Sequence, residues 1–249
     1  MMHDETSVSV TLYVGVPHQC SYLENETTTL HIIDPQFSMN SAFYGGLLAQ
    51  GFRRSGDMVY RPGCEKCHAC IPARIPATYY KANRSQKRTC KVNRDIDIRY
   101  RSQAGFSDVH FELYNRYLES RHQEGGMAEH TQEQMEQFLG CSWGETKLIE
   151  GWLDDQLVMV AVTDRTPNAL SALYTFFDPQ LHKRSLGTFG ILCQLERCTQ
   201  LGLPWLYLGY WIENCRKMSY KQAFKPIELL QEGEWSFLDD TRLFQDLGF

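Results

Sequence analysis

The stretch from Ala169 to Pro226 constrains this chain more than any other, because it reads as strand, basic turn, helix, strand, aromatic loop and short helix in unbroken order. The strand NALSALYTFF ends at Asp178-Pro179, since proline cannot donate to a ladder. The turn PQLHKRSLGT then places His182, Lys183, Arg184, Ser185 and Gly187 where a helix should begin. Backbone donors, a glycine and two cations at a helix start suit a phosphate or a carboxylate. The helix, roughly Ser185 to Leu201, puts Phe189, Leu192, Leu195 and Cys198 on one side and stops at Gly202, with Pro204 beyond. WLYLGYW follows as an apolar strand whose glycine lets a ligand approach the backbone. IENCRKMSYKQAFKP then crowds Glu213, Arg216, Lys217, Tyr220, Lys221 and Lys225 into a short span.

The rest of the chain divides in character. SVSVTLYV (Ser7 to Val14) and Thr28 to Ile33 read as strands, and a helix is expected around Ser38 to Phe52, capped by Ser38 or Asn40. Cys64, Cys67 and Cys70 stand at two successive C-x-x-C spacings after the turn Pro62-Gly63. That spacing suits a structural Zn²⁺ or an Fe–S cluster. Three thiolates leave one position open, and Cys20 is the natural fourth ligand, with His18 or His68 as alternatives. Lys81 to Asp95 reads as a basic helix or loop, and Asp95 to Arg101 as a strand. Ser107 caps an amphipathic helix with Val109, Leu113, Tyr117 and Leu118 facing in, a Gly125-Gly126 linker follows, and TQEQ at Thr131 to Gln134 is a capping box. A hairpin turning at Asp154-Asp155 then leads into the strand from Asn168. We place a soft boundary near Gly105, with no obvious flexible linker. Residues 1–104 form a basic, cysteine-rich unit and 105–249 a regular α/β unit, an α/β (α+β) chain as a whole.

Charge and cysteine content narrow the partners. The net charge of −5 hides an asymmetry: Arg53 to Arg101 holds 13 Lys and Arg against Asp57, Glu65, Asp95 and Asp97, so the remainder stands at −14. Such a patch can hold a polyanion on an acidic protein. The start MMHDETSVSV lacks an apolar core, and no apolar run approaches the ~18 residues a membrane span needs, so neither a signal peptide nor a membrane span is expected. Nine cysteines without an export signal suggest a reducing cytoplasm.

A resemblance adds to this reading. H-Q-C-S-Y-L at His18, G-F-R-R-S-G at Gly51, Y-R-P-G-C-x-x-C-x-A-C-x-P-x-R at Tyr60 and R-S-Q-x-R at Arg84 match one family block by block. So do Y-T-F-F-D-P at Tyr174, S-L-G-T-F at Ser185, Y-L-G-Y-W-I at Tyr207 and K-M-x-Y-K-x-x-F-x-P at Lys217. The chain resembles the bacterial branch of the arginyl-tRNA–protein transferase family from His18 to about Trp235. The resemblance implies an N-terminal cysteine-cluster domain followed by a GNAT-like acyltransferase domain that takes aminoacyl-tRNA in place of acyl-CoA. It further implies transfer of leucine from Leu-tRNA to proteins with N-terminal Asp or Glu, in the N-degron pathway, with no cofactor needed for the chemistry.

The roles that follow are expectations. The ester of an aminoacyl-tRNA is already activated, so catalysis reduces to positioning, a modest base and oxyanion stabilisation. The hydroxyls of Tyr174 and Tyr220 and backbone N–H groups along Leu206 to Tyr210 are candidates for the oxyanion, and Glu213 for the base. An acidic N-terminal residue calls for a cation, for which Arg53, Arg54, Arg74 and Lys221 are candidates. The tRNA end would meet Lys183, Arg184 and Ser185, and the acceptor stem would lie over Lys81 to Arg101, Lys87 and Arg88 included. A 3′ adenine would stack on Tyr210 or Trp211. Arginyl transfer, an inactive metal-knuckle RNA-binding protein and a conventional N-acetyltransferase remain open at this point. HKRSLGT lacks the run of glycines that usually cradles a pyrophosphate, which weighs against the last.

Overall fold

The computed structural model describes residues 9–101, 105–121, 131–213 and 215–238. The first eight residues of the acidic start and the Gly125-Gly126 linker lie outside them. In chain order the elements are β1 (Leu12–Val14), β2 (His18–Gln19), β3 (Thr27–Thr28), β4 (Leu30–Ile33), α1 (Ser41–Ala49), β5 (Arg53–Ser55), β6 (Met58–Pro62) and β7 (Ile71–Pro76). There follow α2 (Arg84–Val92), β8 (Asp97–Arg101), α3 (Asp108–Arg121), α4 (Gln132–Leu139), β9 (Glu145–Leu153), β10 (Gln156–Thr166) and β11 (Ala169–Phe177). A 3-10 turn (Pro179–Arg184), α5 (Leu186–Gln200), β12 (Trp205–Trp211), a second 3-10 turn (Ser219–Ala223), β13 (Glu228–Gln231) and β14 (Glu234–Phe237) complete the chain. Among the described residues, no helix is long and apolar enough to cross a membrane.

An eight-stranded sheet in the order β14-β13-β7-β12-β11-β10-β9-β8 forms the centre. It draws β7 and β8 from before residue 105 and the other six strands from after it, so the sheet runs across the expected division at 104/105. Helices cover both faces, and the alternation of β10 explains how. Val160 and Val162 face α3 and α4, packing with Leu113, Tyr114, Met135 and Leu139. Met159 and Ala161 point the other way, toward Leu186, Phe189 and Cys193 of α5. Gly190 lets α5 lie close on the sheet, since a Cβ there would stand 3.1 Å from Thr175 Cγ2.

A four-stranded sheet, β1-β4-β6-β5, packs with α1 against the large one. Tyr44, Leu48, Phe52 and Val59 share a core with Ala169 and Tyr207, so the two sheets are joined by apolar burial as well as by polar contacts. The caps follow local chemistry. Asn40 accepts from the Phe43 amide at the start of α1, Asn83 and Gln86 form a capping box on α2, and Thr131 and Gln134 form one on α4.

One expectation for α3 is corrected. Val109 is 44% exposed, whereas His110 and Tyr114 are buried, because the inward face follows residues 110, 113, 114 and 118 rather than starting at 109. His110 is held by Ser107 and, through Nε2 at 3.0 Å, by buried Glu150, so a polar residue occupies the inward position. In α5 the expected inward residues Phe189, Leu192, Leu195 and Cys198 are all buried.

Candidate active site at a splayed strand pair

The strands β11 and β12 are parallel, but they pair only at Ala169/Trp205, Leu170/Leu206 and Ser171/Tyr207. Beyond that point β12 stays with β7 and shifts register between Tyr207 and Gly209, so β11 and β12 part toward their carboxyl ends. Parallel α/β sheets place ligands beyond the carboxyl ends of their strands, often where neighbouring strands diverge. Here the amino end of α5 stands at that same end, following β11 through Pro179–Arg184.

Arg53 fills the gap. Its Nη1 donates to Ser171 Oγ at 2.8 Å and its Nη2 to the carbonyl of Ala172 at 2.5 Å. The side of the guanidinium lies on Gly209, where a Cβ would come 3.4 Å from Nε. Gly209 has φ +78, a conformation that favours glycine, so the backbone requires that residue here, while a Cβ would be in ordinary contact with the guanidinium. Arg53 reaches this place because Gly51, with φ +85, turns the chain after α1 and β5 begins two residues later. Side chains alternate along a strand, so Arg54 points away from the splay.

Lys221 lies within electrostatic reach of Arg53 and is 5% exposed. Its Nζ donates to the carbonyl of Tyr210 and lies 3.6 Å from Met218 Sδ. Burial first, and the neighbouring Arg53 charge second, bring its ammonium down to about 7. Tyr210 itself donates its hydroxyl to the Gly51 carbonyl at 2.8 Å, so both ends of this residue are engaged. Tyr220 is 48% exposed as a residue, yet its hydroxyl is enclosed closely enough for desolvation to push it up to about 12, with Tyr117 and Arg53 among its neighbours. Tyr174 on β11 packs its ring against Tyr117 at 6.2 Å and Phe138 at 5.6 Å. Arg53, Lys221, Tyr174 and Tyr220 therefore gather around the splay, although they come from three elements.

Other residues singled out in the sequence are placed differently. Arg54 is wholly buried: Nε and Nη2 clasp Asp164, and the remaining donors serve the carbonyls of Gly56, Leu139 and Gly140 and the hydroxyl of Thr146. No donor is left to turn toward a substrate. Arg74 pairs with Glu228 at 2.7 Å and lies between Trp205 and Trp235, with its guanidinium carbon 3.7 and 4.2 Å from the two ring centres. Both faces of that fork are covered by rings. Glu213 is exposed just after β12, and Trp211 is buried, which takes its ring out of reach of a base.

On the basic surface, Lys87, Arg88 and Lys183 are exposed, whereas Arg184 is bidentate on Asp95 at 2.7 and 2.9 Å. Arg184 thus ties the turn before α5 to the α2–β8 connection. Ser185 is exposed and starts α5 with φ 54, without a side-chain cap bond.

Cys20, Cys64, Cys67 and Cys70 line one cleft of about 1750 Å³ beside Tyr210 and Gly51. Desolvation, and then the other thiols with Cys215 among them, push Cys70 up to about 11. Two separate segments thus bring four thiols to one wall. Among the described residues, however, no three Cys, His, Asp or Glu side chains converge closely enough to hold an ion. Sequence reasoning missed Cys215, the depressed Lys221 and the partner of Gly209. The glycine in WLYLGYW signalled a close approach, but the group that approaches is the chain's own Arg53.

Family models described as the arginine-tRNA-protein transferase N terminus and C terminus match residues 18–88 and 109–231. The chain is 48% identical over 92% of its length to an aspartate/glutamate leucyltransferase of Nitrosococcus oceani, covering 96% of that protein. Equivalent figures are 46% and 91% for one from Pseudomonas fluorescens, 96% of which is covered. For one from Hahella chejuensis they are 47% and 91%, with 97% covered.

Proposed function

We propose, of a chain that belongs to the arginine-tRNA-protein transferase family, that it moves leucine from Leu-tRNA to the N-terminal Asp or Glu of a protein and so marks that protein for the N-degron pathway. The observation that carries this reading is the Arg53 guanidinium set in the splay between β11 and β12 with buried Lys221 beside it. A fixed positive charge there suits an acidic side chain, and an amine of lowered basicity suits a proton in transit.

The chemistry runs as follows. The substrate's α-amine, with an ordinary pKa of about 7.7–8.0, attacks the carbonyl carbon of the leucyl ester. A C–N bond forms, the C–O bond to the ribose breaks, and the amine's proton passes through the neutral Nζ of Lys221 to the leaving oxygen. Lys221 takes this role in preference to Glu213, because it is buried beside the splay whereas Glu213 is exposed. The hydroxyls of Tyr174 and Tyr220, with backbone groups of β12 released from β11 beyond Tyr207, would stabilise the oxyanion. Arg53 reads the acidic residue. Arg54 and Arg74, committed to Asp164 and Glu228, shape the site from behind.

In this reading residues 105–249 act as a GNAT-like unit completed by β7 and β8, and the N-terminal 1–104 supplies Arg53 and the basic surface. The 3′ end of the tRNA meets Lys183 and Ser185, and its acceptor stem crosses Lys87 and Arg88. We place the protein in the cytoplasm, where charged tRNA is found.

Incubation of the full chain with labelled Leu-tRNA or Arg-tRNA and peptides starting with Asp, Glu, Lys or Ala tests the function. Leucine is expected in the Asp and Glu peptides alone. Arginine in those peptides would overturn the donor, and tRNA binding without any transfer would overturn the enzyme.

A structural metal is proposed on the same cleft. Four thiols suit a closed Zn²⁺ site or an Fe–S cluster, and loading would require the segments of Cys20 and Cys64–Cys70 to draw together. Cys64→Ser is then expected to lower metal content, read by elemental analysis, together with melting temperature. Wild-type protein with full activity and no metal would remove the proposal.

A further inference from the structure

A second cationic pocket lies at the far end of α5 from the splay. It has a volume of about 160 Å³ and is walled by Arg101, Lys147, Arg165 and Arg197, with Thr163 and Leu170 in its floor. Thr163 and Arg165 come from the end of β10 and Leu170 from the start of β11, the end of the sheet where β11 and β12 are still paired. Arg197 comes from the last turn of α5. With 15 residues in α5, its two ends are about 22 Å apart.

The charges of this pocket are not all neutralised by neighbours. Arg101 stands 3.5 Å from Glu150 and Lys147 3.3 Å from Glu145, which also faces Arg165 across the strands. Arg197 stacks on Tyr100 and donates to neutral Gln200 at 3.0 Å, so its fork is held in place without a carboxylate. Arg165 is exposed at the rim. Among the described residues, no carboxylate lines the pocket itself. Lys147, Arg165 and Arg197 around a floor of Thr163 and Leu170, in a volume that holds one tetrahedral anion with room for water, favour a phosphate group. A free anion would find the same groups, but a polyanion that already lies along α2 gains more by reaching them.

We infer that this pocket holds a backbone phosphate of the donor tRNA, far from the aminoacylated end. The inference rests on the reading of tRNA as donor, and it adds a contact that neither α2 nor the turn before α5 provides. It makes recognition extend over the length of α5, so that a donor too short to span it would lose this part of the affinity.

The test compares the wild-type chain with Arg165→Glu and with Arg165→Glu/Arg197→Glu, by fluorescence anisotropy with intact Leu-tRNA and with a leucylated CCA trinucleotide. Arg165 is exposed, so the single variant is expected to fold as wild type, which thermal unfolding checks. We expect intact tRNA to bind about tenfold more weakly to the variants, with a salt dependence shallower by about one ion equivalent per lost phosphate contact. Binding of the trinucleotide is expected to be unchanged. Unchanged affinity for intact tRNA, or equal loss for both donors, overturns the inference. Binding of inorganic phosphate that these variants abolish without any change toward tRNA overturns the assignment to RNA. Wild-type protein that binds no tRNA at all would fault the donor reading instead, and the two failures are thereby told apart.

Discussion

Arg54→Ala is expected to destabilise the fold by about 3–5 kcal/mol, the usual cost of stripping one partner from a buried ion pair. The Arg54 side chain is wholly buried and that of Asp164 is 4% exposed, so the carboxylate would be left in the interior with only Thr146 at 3.0 Å to replace a bidentate clasp. Three carbonyls, those of Gly56, Leu139 and Gly140, would lose their donor in the same step. These join β5 to α4 and β10, so the loss falls on the junction between the two sheets. Arg54→Lys is expected to recover little, because an ammonium cannot reproduce a planar fork. Urea unfolding followed by circular dichroism reads the effect directly. Wild-type stability would contradict it. At a temperature where the variant stays folded, its preference for Asp and Glu peptides should match wild type, whereas lost discrimination without lost stability would return Arg54 to the substrate.

Lys221→Met is expected to lower kcat/KM for transfer by about 10²–10⁴-fold at neutral pH, the range general acid–base groups contribute. The same variant should be no less stable than wild type, since methionine fills a similar volume without an amine to bury. The sign of the pH dependence follows from the shift to about 7. Below pH 7 both folded and unfolded chains carry the ammonium, and its burial penalty is present in full. As pH rises from about 7 toward the ordinary lysine value near 10.4, the folded chain has shed the proton while the unfolded chain still binds it, so stability climbs. Lys221→Met should remove that climb, and with it the rise of single-turnover rate through pH 7. Lys221→Arg separates two roles: an acid-reading cation would be rescued by arginine, whereas a proton acceptor would not. Wild-type kcat/KM in Lys221→Met would end the assignment.

Much of this molecule was legible in the sequence where the signal is local. The order of elements from Ala169 to Trp211, the inward residues of α5, the Thr131 capping box and the Asp154-Asp155 turn all follow from periodicity, caps and backbone preference, which act over a few residues. The exposed face of α2 was likewise visible as a basic run, since nothing needs to cover it. Where two neighbours compete for roles, local signals fail. Arg53 and Arg54 are adjacent in one motif and look alike on the page, yet one lies in the splay and the other is locked to Asp164.

What the sequence determined by itself was the family, the class of donor and acceptor that family handles, and the elements able to hold them. Only the tertiary structure decided which cation stands in the splay. Arg53 meets Ser171 across 118 positions, Arg54 meets Asp164 across 110, and Arg74 meets Glu228 across 154. The physical reason is that a strand sends successive side chains to opposite faces, and what waits on each face is set by distant segments brought there by burial of the shared core. Lys221 follows the same rule: its residue type is ordinary, and its lowered basicity comes from the apolar enclosure and the Arg53 charge that folding puts beside it.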